Sequence, residues 1–248
     1  ASRVAGPDKK LAGHLVVECL VAQGVTHAFG VPGESYLSVL DGFHAFADRI
    51  RFVTCRQEGG AAFMAEAQGK LTGRPGVCFV TRGPGATNAS IGVHTAFQDS
   101  TPMVLFVGDV ASDTRDREAF QELDFCSFFG PSTKGMAKRV ERIDDARRIP
   151  EYVARAFATA MNGRPGPVVL VLPEDMLTRQ VDEDPLARVE PVQAWADPGS
   201  LRQSPSTRRE WSSLTRNGVG VARKACPPGR STRVNAALEA WGDSTRYM

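Results

Sequence analysis

The chain has 248 residues, 42% of them apolar and 23% charged, ordinary proportions for a globular protein and enough length to bury a core without covalent staples. No run of 18 or more apolar residues occurs, which excludes a membrane-spanning helix, and the start lacks the charged-then-apolar pattern of a secretory signal. The net charge of +2 is unevenly spread. Leu186–Met248 carries ten Lys/Arg against five Asp/Glu, and the preceding residues twenty against twenty-three. The basic part lacks clustered cations with interleaved aromatics, so no nucleic-acid partner is expected.

The elements alternate from the first. A helix is expected over Lys9–Gln23, from Leu11, Leu15, Val16, Cys19 and Leu20, and it stops at Gly24. The strand Thr26–Gly30 precedes Val31-Pro32-Gly33, and a second helix covers Tyr36–Ala47. The strand Arg51–Cys55 leads to a helix that opens near Glu58 and ends before Gly73. The strand Val77–Thr81 meets Gly83-Pro84-Gly85, a helix follows over Ala86–Phe97, and Met103–Gly108 is the next strand. Val110–Lys138 is irregular. A helix over Asp144–Met161, capped by Asp144 or Asp145, and the strand Pro167–Leu172 close the series.

Apolar strands alternating with helices imply a doubly wound α/β domain, a parallel sheet covered on both faces, over residues 1–185. Ligands on such sheets bind at the carboxyl ends of strands near a switch point, where the Gly-Pro punctuation falls. Residues 186–248 are rich in Ser, Thr, Arg and Pro without sustained periodicity, and are expected to form a poorly ordered basic tail. The five cysteines are odd in number and show neither C-x-x-C nor zinc spacing. Four sit among apolar residues, and a reducing cytoplasm is the expected compartment. The first residue is Ala1 rather than Met, so the natural start is expected to lie upstream or to have been processed.

Glu58 is the first candidate for chemistry. It follows a strand, opens a helix and is flanked by Gly59-Gly60-Ala61-Ala62, which leave room for a flat ligand. A carboxylate favoured by the helix dipole would look the same. Thr81-Arg82-Gly83-Pro84-Gly85-Ala86-Thr87-Asn88 turns a strand into a helix, with N–H groups suited to an anion or a bare backbone suited to a ring. It resembles a dinucleotide-binding turn with Asn88 in the last glycine position and Asp109 downstream, although Pro84 stands where a pyrophosphate would approach. Val31-Pro32-Gly33-Glu34 is a turn signal, and Phe120-Gln121-Glu122 reads as a helix start or a functional loop. Zinc-hydrolase, serine-hydrolase and P-loop signatures are absent.

Taken in order, these pieces resemble the pyrimidine-binding N-terminal domain of thiamine-diphosphate enzymes, acetolactate synthase-like in type. The resemblance runs from Phe29-Gly30-Val31-Pro32-Gly33 through Arg56-Gln57-Glu58-Gly59-Gly60-Ala61-Ala62-Phe63-Met64-Ala65 and Thr81–Asn88. It continues through Asp99-Ser100-Thr101-Pro102 and Phe120-Gln121-Glu122 to Gly163-Arg164-Pro165-Gly166-Pro167-Val168, covering Lys9–Val181.

The resemblance implies that the Glu58 carboxylate hydrogen-bonds N1′ of the cofactor's aminopyrimidine and so promotes proton removal from the thiazolium carbon that attacks a 2-oxo acid such as pyruvate. It places Pro32, Gly33, Thr81, Pro84 and Asn88 around the pyrimidine, and Phe120 and Gln121 on the substrate side. Many acetolactate synthases have His before the catalytic Glu and Gln after it. Gln57 and Gly59 stand there in this chain, which leaves the acceptor substrate open.

The family's Mg²⁺/diphosphate anchor, Gly-Asp-Gly with a downstream Asn, does not occur, and no FAD site is recognised although the full-length family often holds FAD. Three readings follow. The chain is a truncated product, with a frame-shifted tail after Leu186–Pro191; or it is one subunit of a two-chain decarboxylase; or it is an α/β module that binds a nucleotide or a protein without catalysis. On each, the chain alone is expected to be inactive and to associate with itself or with a diphosphate-binding subunit through exposed apolar surfaces.

Overall fold

The computed structural model describes residues 9–130 and 135–192. β1 (Lys10–Leu11) leads into α1 (Ala12–Ala22). β2 (His27–Gly30) is followed by a 3₁₀ turn, Glu34–Tyr36, and α2 (Leu37–Ala45). β3 (Arg51–Thr54), α3 (Glu58–Thr72), β4 (Gly76–Val80), α4 (Pro84–Asp99) and β5 (Met103–Asp109) come next. After a loop come α5 (Phe125–Phe129), β6 (Arg139–Arg142), a 3₁₀ turn at Ala146–Arg148, α6 (Ile149–Met161), β7 (Pro167–Pro173), α7 (Glu174–Leu177) and β8 (Gln180–Val181).

Six strands form one parallel sheet in the order β3-β2-β4-β5-β7-β6, and β1 pairs antiparallel with β8. The alternation of side chains along the buried strands builds two separate cores. Val77, Phe79, Val104, Phe106, Val168 and Leu170 face α1, α2 and α6, where Phe79 stacks on Phe106 at 4.5 Å between ring centroids. Cys78, Val80, Leu105, Val107, Val169 and Val171 face α3, α4 and α5. Every residue of β4, β5 and β7 is buried, which is why these strands read as unbroken apolar runs. The doubly wound α/β class expected from the sequence is the observed one.

Several elements differ from expectation. The first turn of the expected leading helix is the strand β1, which pairs with β8 and leaves α1 to start at Ala12. Arg139–Arg142, for which no element is expected between the irregular stretch and the next helix, is the edge strand β6, paired with β7. Its charges are matched locally: Arg155 donates to Glu141 at 2.9 and 3.2 Å, and Arg142 forms a buried ion pair with Asp109 at the end of β5. Of the two residues expected to cap here, Asp145 is the one that does so, at the turn before α6, accepting from Arg147 N–H at 3.1 Å.

Residues 183–192 carry no regular secondary structure. Val189 N–H donates to Gln23 Oε1 at 2.9 Å, Arg74 Nη2 to the Val189 carbonyl at 2.9 Å, and Val192 N–H to Asn162 Oδ1 at 2.7 Å. Gln23, Arg74 and Asn162 all follow helices, so this segment lies at the amino ends of the strands, opposite the Gly-Pro turns. It carries the chain past the sequence-based boundary at Leu186, and the first compact unit ends at Val192. The expected disordered tail from residue 193 onward lies outside the described residues.

Candidate functional site at the sheet's switch point

β2 and β4 are neighbours, yet β2 continues to β3 at one edge and β4 continues to β5 toward the other. The loops after these two strands therefore diverge and open a crevice at their carboxyl ends. Val31-Pro32-Gly33 and Thr81-Arg82-Gly83 form its walls, and they are fastened to each other. Ser35 Oγ and Thr81 Oγ1 lie 2.8 Å apart, and the Tyr36 hydroxyl donates to the Val31 carbonyl. Arg82 is buried and bridges the loops, donating to Glu34 at 2.5 Å and to Glu174, which follows β7, at 3.0 Å.

Glycines let the two loops pack closely around Thr81. A Cβ on Gly33 would stand 2.6 Å from Thr81 Cβ, so no side chain fits there. Gly83 has φ +53°, a conformation that L side chains rarely adopt, and it hands the chain to Pro84 at the first turn of α4. A Cβ on Gly85 would point towards Thr81 Cγ2 at 2.9 Å and Glu58 Oε1 at 3.6 Å.

Glu58 is the first residue of α3 and is half-buried. Its Oε2 accepts from Asn88 Nδ2 at 3.0 Å, which joins the first turns of α3 and α4 across 30 residues of sequence. The second oxygen, Oε1, faces Gly85. The carboxylate thus has a fixed direction, with one oxygen bonded to Asn88 and the other beside Gly85. Gln57 and Gly59, the two departures noted in the sequence, have structural work here. Gln57 Oε1 caps α3 by accepting from Gly60 N–H at 2.9 Å, and a Cβ on Gly59 would come within 3.3 Å of the Asn88 carbonyl.

Pro32, Pro84 and Asn88 are exposed at the mouth, and Gly33 and Thr81 line it. Phe63, Met64 and Ile91, apolar and 41, 40 and 55% exposed, lie further along α3 and α4. Gln121 also reaches the site: its Cβ and carbonyl oxygen stand 2.8 Å from where a Cβ on Gly83 would be. Phe120 points outward, 73% exposed. The structure thus joins Gly33, Thr81, Glu58 and Asn88 directly, adds Gln121 through Gly83, and shows Phe120 without a seat. Sequence reasoning missed the roles of Arg82 and Ser35 in fixing the loops, because their partners lie 92 and 46 residues away.

Asp109, the acid considered for a dinucleotide site, is 3% exposed and committed to Arg142 and to the Val110 N–H. Of the four cysteines expected among apolar residues, Cys19, Cys55 and Cys78 pack on the two cores and Cys126 does not. Cys19 and Cys78 are buried, and burial pushes the Cys19 thiol up to about 12. Cys55 is half-buried, Cys126 on α5 is exposed, and Cys226 lies outside the described residues. Among the described residues no cluster of three His, Cys, Asp or Glu could hold a metal ion, and no helix is long and apolar enough to cross a membrane.

Residues 11–128 match the family described as thiamine pyrophosphate enzyme, N-terminal TPP binding domain. The acetolactate synthase of Bacillus subtilis (strain 168) is 40% identical over 169 residues, 68% of this chain and 29% of that protein. The acetolactate synthase isozyme 3 large subunit of Escherichia coli (strain K12) is 42% identical over 163 residues, 66% of this chain and 28% of that one. The acetolactate synthase of Arthrospira platensis is 36% identical over 235 residues, 94% of this chain and 35% of that one. The matched region is an N-terminal TPP-binding domain of the thiamine pyrophosphate enzymes. Within that group it is acetolactate synthase-like, and the chain spans about a third or less of the length of these relatives.

Proposed function

We propose that this chain supplies the pyrimidine half of a thiamine diphosphate site, in an acetolactate synthase-like reaction that decarboxylates a 2-oxo acid such as pyruvate and joins the fragment to an acceptor. The observation that carries this reading is the Glu58–Asn88 pair beside Gly85 at the switch point. An aminopyrimidine is flat and offers a ring nitrogen beside an exocyclic amine. A fixed carboxyl group with one oxygen outside the Asn88 bond and no side chain on the neighbouring Gly85 fits that group.

Bound thiamine diphosphate supplies the carbanion chemistry and stores the electrons of decarboxylation. Glu58 holds a proton at the ring nitrogen N1′, and Asn88 fixes which Glu58 oxygen does so. Gly33, Thr81, Pro84 and Gly85 bound the slot, and Pro32 stands at its mouth. Gln121, with Phe120 beside it, faces the substrate side.

The donor set around Glu58 fits the pyrimidine alone. We assign Mg²⁺ and the diphosphate to a domain outside the described residues, on this or another polypeptide, with FAD only in such a larger assembly. The exposed Phe63, Met64 and Ile91 on α3 and α4 favour closure of the site by a second polypeptide, either another copy or a separate diphosphate-binding subunit. The test combines the chain with a diphosphate-binding partner and measures carbon dioxide released from pyruvate. Release that requires both polypeptides and is lost in Glu58→Ala supports the reading, and release that survives Glu58→Ala refutes it.

A further inference from the structure

The loop that carries Phe120 and Gln121 is strained and is held by one carboxylate. Asp116, Glu118 and Gln121 have φ of 61°, 55° and 62°. Such non-glycine conformations persist only where the surroundings over-determine them. Glu122 provides that determination. Its Oε1 accepts from Asp116 N–H at 2.6 Å and its Oε2 from Ala119 N–H at 2.9 Å, while its own N–H donates to the Ala119 carbonyl at 2.9 Å. These amides, with that of Arg117, hold its carboxyl below the usual carboxylate range.

The loop is anchored at both ends by other acids. Asp175 accepts from the Ser112 N–H and hydroxyl at 2.9 and 3.0 Å, and Asp124 caps α5 by accepting from Ser127 N–H at 3.1 Å. Glu122 shapes the interior between these anchors. That shape ends at Gly83, on which the Gln121 backbone sits so closely that no Cβ could stand between them.

We infer that Glu122 is a positioning residue: its carboxylate folds Asp116–Gln121 into the strained form that seats Gln121 on Gly83, and so couples this loop to the Gly83-Pro84-Gly85 turn beside Glu58. It touches no substrate and moves no proton. Its link to catalysis rests on the reading of Gln121 as a substrate-side residue, while the positioning itself stands without it.

The experiment uses the ¹⁵N-labelled full chain, with Glu122→Gln, Glu122→Asp and, as a matched loss of charge, Glu118→Gln. Glu122→Gln keeps one acceptor and turns the other into a donor. Exchange of the Asp116 and Ala119 amides should accelerate about tenfold or more, as loss of one hydrogen bond warrants. The Gly83 and Gln121 amide resonances should shift while the melting temperature stays within a few degrees. Glu122→Asp, which retains two acceptors on a shorter arm, should restore part of the protection, and Glu118→Gln should move none of these signals.

Unchanged protection at Asp116 and Ala119 in Glu122→Gln overturns the inference, as does lost protection with an unmoved Gly83 resonance. Protection lost throughout β5 and α5 in both Glu122 variants also overturns it, in favour of a general structural role. In a site completed by a diphosphate-binding partner, Glu122→Gln should raise KM for pyruvate and leave thiamine diphosphate affinity unchanged. An unmoved KM beside the expected loss of protection and shift of Gly83 refutes the substrate-side reading of Gln121 and leaves the positioning established.

Discussion

Asn88 Nδ2 donates to Glu58 Oε2 at 3.0 Å, tying together the first turns of α3 and α4. The bond leaves the other Glu58 oxygen facing Gly85. If this carboxyl holds a proton at the pyrimidine, Glu58→Ala should lower turnover of the completed site by about 10²–10⁴, the range for a positioned acid–base group. Asn88→Ala should cost about tenfold, the worth of one orienting hydrogen bond. Steady-state kinetics of the two variants beside their urea denaturation curves separate chemistry from folding, and unfolding should change by no more than about 1 kcal/mol.

Gly83→Ala should destabilise the domain. It places a side chain at φ +53° and drives a methyl group to within 2.8 Å of Gln121. Strain of this kind costs about 1–3 kcal/mol. Urea denaturation measures it, and the cost should shrink when Gln121→Gly removes the facing Cβ.

The Asp109–Arg142 pair fastens the edge strand β6 across β7 to the end of β5, with 4 and 9% of the two side chains exposed. Arg142→Ala strands a buried carboxylate and should cost about 3–5 kcal/mol. The double variant Asp109→Leu/Arg142→Met should cost less than that single change, because it removes both charges and keeps volume. Chemical denaturation of the single and double variants checks the order.

Acid should erase the contribution of Asp145. Its hydrogen bonds to the Arg147 side chain and N–H hold its carboxyl down at about 2, below the ordinary value of 3.8. A carboxyl depressed by folding lends stability that is present above its unfolded value and lost as pH falls through its folded one. Asp145→Asn keeps a capping oxygen and removes the charge. It should therefore lower the melting temperature at pH 6, with the gap to the parent chain closing between pH 4 and pH 2. Melting curves across that interval test the sign.

The buried strands β4, β5 and β7 were legible in the sequence because burial on both faces writes them as apolar runs. Glu58 was legible as an acid at a strand–helix junction among small residues. β6 was not, since Arg-Val-Glu-Arg carries no periodicity that marks a strand, and its pairing depends on Asp109, Arg155 and the neighbouring β7. Nor were β1 and β8, two residues each, which exist only through each other. The Glu58–Asn88 bond and the seat of Gln121 on Gly83 join residues 30 and 38 positions apart, and only the winding of the sheet reveals them.

The central claim is that Glu58 holds the pyrimidine of thiamine diphosphate in a site that another domain completes. Calorimetric titration of thiamine diphosphate with Mg²⁺ tests it most directly, run on the chain alone and again with a diphosphate-binding subunit from the same genome. The account predicts no measurable binding to the chain alone, tight binding with the partner, and loss of that binding in Glu58→Ala. Binding that is equally tight in Glu58→Ala, or absent even with the partner, would contradict it.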